Sequence, residues 1–377
     1  MFGFEKTPYD VKVYEEKLKD FLPDTMVDVH THVWKKEFFD YAHIDGCVDW
    51  VKLVADECYI DDLLQTYKDM FPGKTVYPVL MGEPTANVYK TNVYTKECMD
   101  KTGLPGLLCT EYRMTPEYLE EEIATKGFLG LKPYLSNCAP YIPADEIRIF
   151  DFLPKEHLEV ADKHGWIVML HIARPGRLKD PVNIAQLMEI EEKYPNVKLV
   201  VAHVGRAYSP EDIGDAFETL KHTKNMMFDF TANTLSLAME KCIEAVGTDR
   251  VMFGSDLPIT KMRMYRITKN GTYYNVIPRG LYGDVSNDYH MIESDEENIS
   301  NFMYEELLAF KKCSETLGLS KEDVKKILCT NGANLYKIKP GMKAVTVTDY
   351  YQTPPTETEI ALDENKAPGK CAQQYFK

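Results

Sequence analysis

No stretch of the chain is apolar for long enough to span a bilayer. The longest apolar runs, such as residues 166–170 and 199–202, are short and strand-like, whereas a spanning helix needs about 20 apolar residues. Positive charge is scarce: 44 Lys and Arg stand against 59 Asp and Glu, a formal net charge of -15. A chain this acidic has no electrostatic reason to coat DNA, RNA or an anionic membrane, so neither nucleic acid nor membrane is expected as a partner. The opening residues Met1-Phe2-Gly3-Phe4-Glu5-Lys6-Thr7 carry no basic segment followed by an apolar one, and no signal peptide is expected. There is no C-x-x-C spacing, and the nine cysteines are odd in number and scattered. They read as reduced, buried thiols of a cytoplasmic protein. Gly and Pro, 21 each, are too few for a low-complexity chain, and 44% hydrophobic with 27% charged residues is ordinary globular composition. Phosphate loops are missing too. Neither G-x-G-x-x-G nor G-x-x-x-x-G-K-[ST] occurs, which weighs against an open, doubly wound nucleotide-binding sheet.

What is present is a rhythm. Thr7 and Pro8 are placed to cap and begin a helix over residues 8–20, with Val11, Tyr14 and Leu18 at helical spacing. Then come eight short β-branched or apolar runs, at 26–32, 75–80, 106–109, 128–132, 166–171, 197–203, 225–229 and 250–256. Several end in polar residues, the pattern of a buried parallel strand reaching its carboxyl end. Helix-compatible segments lie between most of them, among them 154–164, 183–194, 211–221 and 236–246. Eight strands alternating with helices predict a (β/α)8 TIM barrel. Residues 1–340 are expected to form one such barrel with an N-terminal helix. A long insertion after strand eight, at about 259–300, shows no clear periodicity, and 341–377 reads as a C-terminal tail.

Chemistry gathers at the strand ends. His30 and His32 stand at i and i+2 and point to one face of the first strand. His171 closes strand five, His203 strand six and Asp256 strand eight. Any one histidine could be a hydrogen-bonded core residue. Five such groups buried on one rim would be costly without a metal ion or a mutual network, and imidazole with carboxylate is a donor set that Zn or Mn accepts.

Asp28-Val29-His30-Thr31-His32, His171, His203 and Phe253-Gly254-Ser255-Asp256-Leu257-Pro258 together resemble the amidohydrolase superfamily, in its metal-dependent hydrolase and decarboxylase branch. Gly130-Leu131-Lys132, Leu199-Val200-Val201-Ala202-His203-Val204-Gly205 and Asn331-Gly332-Ala333-Asn334-Leu335-Tyr336 fit that branch in order and spacing, so the resemblance covers residues 25–338. It implies a barrel with one or two divalent ions at the carboxyl face. It implies His30, His32, His171 and Asp256 as ligands, and His203 as a second-metal ligand or a substrate-side catalytic group. In parts of the superfamily a lysine ending strand four is carboxylated and bridges two metals. Lys132 stands at that place, and the alternative for it is an ammonium facing a substrate anion or Asp256.

Arg113, Arg174, Arg177 and Arg206 follow strands three, five and six on what would be the active face. Guanidinium groups bind carboxylates by a two-pronged fork, so an acidic small-molecule substrate is expected. Trp34 and Tyr134, each two residues past a site residue, are candidate pocket walls. Arg263, Arg266 and Arg279, with Tyr265, Tyr273, Tyr274 and Tyr282, make the insertion a candidate lid or subunit contact, and a homo-oligomer is expected. His43, His157, His164 and His222 read as structural, while His290 could reach the site from the insertion. The leading expectation is hydrolysis of a carboxylate-bearing lactone, amide or ester by a metal-activated water. Asp256 would serve as general base and then acid, and His203 would polarise the carbonyl or bind substrate. Non-oxidative decarboxylation of an aromatic or unsaturated acid is the alternative, and a non-catalytic metal-binding protein the third.

Overall fold

Alternation of Val and polar residues after Thr25 gives the first strand, β1 (Thr25–Val33). In the computed structural model, which describes residues 6–39 and 50–339, β1 is followed by β2 (Thr75–Gly82), β3 (Leu108–Thr110), β4 (Gly130–Pro133), β5 (Ile167–Leu170), β6 (Lys198–Val201), β7 (Met227–Asp229) and β8 (Val251–Met252). All eight expected strands are present. β1 pairs with β2, and β3 to β8 pair in sequence, every pair parallel. The ring is completed at two places. Leu80 and Leu107 join β2 to the start of β3, through Leu80 N to Pro105 O at 2.9 Å and Leu107 N to Leu80 O at 3.0 Å. Between the last strand and the first, Val29 N donates to Phe253 O (3.0 Å), Asp256 N to His30 O (2.8 Å) and His32 N to Leu257 O (2.9 Å). The result is the (β/α)8 barrel that the alternation predicts.

Helices flank the ring where the periodicity places them, for instance Lys155–His164, Pro181–Lys193 and Ser236–Val246. The segment expected as one helix over 211–221 is two short ones, Pro210–Ile213 and Ala216–Leu220, broken at Gly214. At the N-terminus Thr7 accepts from Asp10 N and Asp10 reciprocates at Thr7 N, a capping box that starts the helix Pro8–Val13. Asn331 closes the lower end of the last strand by donating to the carbonyls of Thr248 and Val251, both at 2.8 Å. No helix among the described residues is long and apolar enough to cross a membrane. Cys58, Cys98, Cys109, Cys138, Cys242, Cys313 and Cys329 are free and buried. His43, Cys47, Cys371 and the tail 341–377 lie outside the described residues.

The insertion after β8 differs from expectation. It contains a three-stranded sheet of β9 (Tyr265–Lys269), β10 (Thr272–Pro278) and β11 (Met291–Ser294). β9 and β10 form a hairpin across Asn270 and Gly271, whose φ values of 52° and 77° suit the primed two-residue turn. Met262, Met264, Ile277, Tyr282 and Met291 of the insertion bury a small core with Val54, Ala232 and Phe302. Its neck is tied to the N-terminal helix. Arg263 Nη1 and Nη2 donate to Asp10 Oδ1 and Oδ2 at 3.0 and 2.5 Å, both side chains being buried.

Candidate metal centre

Local backbone chemistry brings the strand-end groups together. Gly254 packs so closely on β1 that a Cβ there would lie 2.7 Å from His30 Cβ, so only glycine lets strands eight and one meet at this level. After β6 the chain makes a left-handed turn: His203, Val204, Gly205 and Arg206 have φ of 60°, 48°, 60° and 60°. For the three residues with a Cβ this costs about 1–2 kcal/mol each. The turn is held by His203 N donating to Asp229 Oδ1 (2.8 Å) and by Asn233 Nδ2 donating to Ala207 O (2.9 Å). Its effect is to bury both His203 and Arg206 at the carboxyl end of the barrel. Strain of this kind, fixed by surrounding hydrogen bonds, collects at functional sites.

Three imidazoles are oriented by the same device. Nδ1 of His32 lies 2.9 Å from Gly82 O, and Nδ1 of His203 lies 2.9 Å from Thr231 O. A carbonyl can only accept, so each Nδ1 carries the proton and each Nε2 presents a lone pair. Nδ1 of His30 is 3.2 Å from Asp229 Oδ2, which fixes it the same way. The Nε2 atoms converge on Asp256: His32 Nε2 lies 3.3 Å and His30 Nε2, which also faces Lys132 Nζ at 3.0 Å, lies 3.7 Å from Asp256 Oδ1. Ligand atoms of His30, His203 and Asp256 all lie within 4.8 Å of one another. Acceptors facing acceptors repel unless a cation or a shared proton sits among them. The set therefore fits a divalent metal ion, with the outer nitrogens anchored as metal-bound histidines require.

His171 is buried on the same rim, its ring 5.1 Å from that of His203 and 4.8 Å from that of Tyr134, and its Nδ1 has no hydrogen-bond partner. Lys132 is fully buried with Nζ 3.0 Å from His30 Nε2. Burial lowers the Lys132 pKa, against the pull of Asp229 and Asp256. Burial also keeps the histidines neutral: His30 is pushed down to about 3, and His171 and His203 are lowered as well. For Asp256 burial pushes the carboxyl up, but the close approach of His32, with the imidazoles of His203 and His30, outweighs it. They hold the group far below the usual carboxylate range. Asp256 alone of the cluster keeps an open side, its side chain 22% exposed.

Two carboxylates that the sequence reading passed over brace the cluster. Asp229 holds both His30 Nδ1 and the His203 amide. Asp28 accepts from His30 N (3.2 Å), Ser255 N (2.9 Å) and Tyr67 Oη (2.6 Å), and burial pushes its pKa up to about 6. Both were findable. Asp229 ends strand seven as His203 ends strand six, and Asp28 shares a strand face with His30 and His32. Glu306, on the helix Phe302–Leu317, is buried, accepts from Ala232 N at 2.8 Å, and has its pKa raised well above normal by burial. No strand-end pattern points to it.

The arginines divide. Arg113 pairs with Glu111 (3.0 Å), Arg174 with Asp180 (3.2 Å) and Arg177 with Asp212 (2.8 Å). Arg206 is 7% exposed, and its Nε has no hydrogen-bond partner. Trp34 is buried with Nε1 on Asp56 O at 3.1 Å. Tyr208 stands 6.5 Å from the His203 ring. His290 does come to the mouth from the insertion, stacked on Tyr273 at 4.0 Å with Nδ1 2.7 Å from Tyr273 O. Of the insertion arginines only Arg266 is placed at the mouth. Arg263 faces Asp10, and Arg279 is exposed and pairs with Asp295.

The sequence profile of the family described as Amidohydrolase matches residues 27–338. A second profile, described as NFACT N-terminal and middle domains, matches only residues 330–377. No curated protein matches the chain. Solved structures do. The probable 2-pyrone-4,6-dicarboxylic acid hydrolase of Acinetobacter baumannii, with citric acid bound, superposes with a TM-score of 0.51 at 16% identity, over 83% of this chain and 99% of its own. A 2,6-dihydroxybenzoate decarboxylase complexed with 2,6-dihydroxybenzoate gives 0.53 at 14%, over 84% and 100%. The dihydroxybenzoic acid decarboxylase of Polaromonas sp. JS666, with bound manganese and 2-nitroresorcinol, gives 0.50 at 15%, over 84% and 97%.

Proposed function

Since this chain belongs to the amidohydrolase family and is an enzyme of that metal-dependent superfamily, we propose that it hydrolyses a small carboxylate-bearing lactone, amide or ester. The observation that carries this is the convergence of the His30, His32 and His203 lone pairs on Asp256, each imidazole pinned from behind. His30, His32, His203 and Asp256 would hold a Zn or Mn ion, with His171 beside them. The ion supplies Lewis acidity, enough to bring the pKa of water towards about 7.

The chain's own residues do the rest. Asp256, ionised and open on one side, takes a proton from the attacking water and returns it to the leaving group. The pinned tautomer makes neutral His203 an acceptor at Nε2, which suits a metal ligand better than a donor to the scissile carbonyl. Arg206 anchors the substrate carboxylate. Decarboxylation of a planar aromatic or unsaturated acid is the second reading, and the observation favouring it is the aromatic wall of Tyr134 and Tyr208 beside His171 and His203.

Elemental analysis and two assays on one sample test both readings. The purified chain should carry at least one Zn or Mn, and should open carboxylated lactones or cleave the corresponding esters. Release of carbon dioxide from aromatic acids without hydrolysis would select the second reading. No metal uptake on reconstitution would end both. Two ions per chain, falling to one in Lys132→Ala, would identify Lys132 as a carboxylated bridge.

A further inference from the structure

Glu306 stands where helical spacing calls for an apolar residue. It lies on the helix Phe302–Leu317, on the face that carries Met303, Leu307 and Phe310, all fully buried in the barrel core. Its own side chain is fully buried as well. A carboxyl group in such a place is costly unless it is well satisfied. Yet among the described residues Glu306 makes a single hydrogen bond: Oε2 accepts from Ala232 N at 2.8 Å, and Oε1 has no partner.

The residue it holds is strained. Ala232 lies just beyond β7 with φ of 49°, a left-handed conformation that is unfavourable for a residue with a Cβ. It is gripped from both sides, by Glu306 at its N–H and by Arg266 Nη1, which donates to its carbonyl at 2.5 Å. The Ala232 N–H belongs to the same peptide group as the Thr231 carbonyl, and that carbonyl accepts from His203 Nδ1 at 2.9 Å. A peptide group is planar, with N–H and C=O pointing in opposite directions. An anchor on the N–H therefore sets the direction of the C=O. The path Glu306, Ala232, Thr231, His203 leads from a helix outside the strand ring to an imidazole of the metal cluster.

We propose that Glu306 is a positioning residue: by holding the Thr231–Ala232 peptide it keeps the His203 proton on Nδ1 and leaves Nε2 to serve as a ligand. The proposal rests on the reading of His203 as a metal ligand, and it gives the helix that follows the insertion a part in building the centre. What position 306 must supply is an acceptor at the right reach, rather than a charge.

Three substitutions in the full chain separate reach, charge and size. Glu306→Gln keeps an acceptor oxygen at the same reach. Glu306→Asp keeps the carboxyl but withdraws it from Ala232 N. Glu306→Met fills the space without an acceptor. Nitrogen NMR of isotope-labelled histidine, on metal-free protein at neutral pH, reads which His203 nitrogen carries the proton; the signal missing in His203→Gln assigns it. Competition with a chelator reads Zn affinity. The native chain and Glu306→Gln should show the Nδ1 proton and similar affinity. In Glu306→Asp and Glu306→Met the second tautomer should appear and affinity should fall about 10-fold, the lower end of what orienting partners of metal-bound histidines contribute. Thermal melts check folding, and Glu306→Asp decides should Glu306→Met not fold. A native His203 ring in Glu306→Asp, an altered ring with unchanged affinity, or a Glu306→Gln as impaired as the other two overturns the proposal. Failure of the metal reading is separate, because a chain that takes up no Zn still reports the His203 tautomer.

Discussion

At the scale of single residues the site depends on what stands behind each functional group. Asp229 is fully buried, and it fixes the His30 ring and the His203 backbone together. Asp229→Asn retains the shape but loses a charge and turns one acceptor oxygen into a donor. It should weaken metal affinity by about 10- to 100-fold, the usual scale for partners that orient metal-bound histidines, as read by competition with a chelator. Asp256→Asn removes the proposed base while leaving the cluster's size unchanged. Turnover should drop by roughly 10²-fold or more, with unchanged far-ultraviolet circular dichroism; unaltered turnover would shift proton transfer to another group. The ligand candidates could be read from the sequence because each follows an apolar run. Which nitrogen of each imidazole faces inward could not, because it depends on carbonyls of distant residues: Gly82 for His32 and Thr231 for His203.

Among the elements, the eight barrel strands were legible because each is a short apolar or β-branched run, several of them closed by a polar residue. The insertion sheet was not. β9 and β10 carry three Tyr, two Thr and one Arg, and of their side chains only Ile277 joins the small local core, so no run of alternating apolar residues marks them. The legible signal was Asn270-Gly271, the strongest short-range hairpin mark, which gives the turn between β9 and β10. The left-handed turn at 203–206 was equally hidden, since Val204 is a residue that avoids positive φ. Fastening of the insertion to the N-terminal helix leads to a stability prediction. Asp10→Ala leaves Arg263 buried without its carboxylate, and breaking a buried pair from one side costs about 3–5 kcal/mol. Urea unfolding should show a loss of that order. Replacing both residues with apolar ones should restore much of it, and a loss within about 0.5 kcal/mol, the range of an ordinary surface change, would show the fastening to be unimportant.

For the molecule as a whole, buried histidines set the response to acid. His290 has its pKa lowered from 6.5 to about 4, first by burial and then by Arg177 and Arg266, against the Tyr273 carbonyl and Asp212. Between those values the unfolded chain binds the proton and the folded chain does not, so stability falls as pH drops from 6.5 towards 4. The loss from this one group is at most about 3 kcal/mol. His30 adds a loss of the same sign down to about 3, while Asp28, raised to about 6, acts in the opposite direction. His290→Gln should flatten the pH dependence of unfolding between 6.5 and 4, measured as midpoints across a buffer series. An unchanged slope would mean that His290 takes up its proton in the folded protein.

The seam between β8 and β1 has a consequence for the order of events during synthesis. His30 and Asp256 are bound to one another through their backbones, Asp256 N to His30 O, yet they lie at opposite ends of the barrel sequence. A nascent chain that has released only the first seven strands carries His30 and His32 with nothing to close against. On the proposed metal reading Asp256 would be the last ligand to join, so the complete centre would form only after residue 256 has left the ribosome.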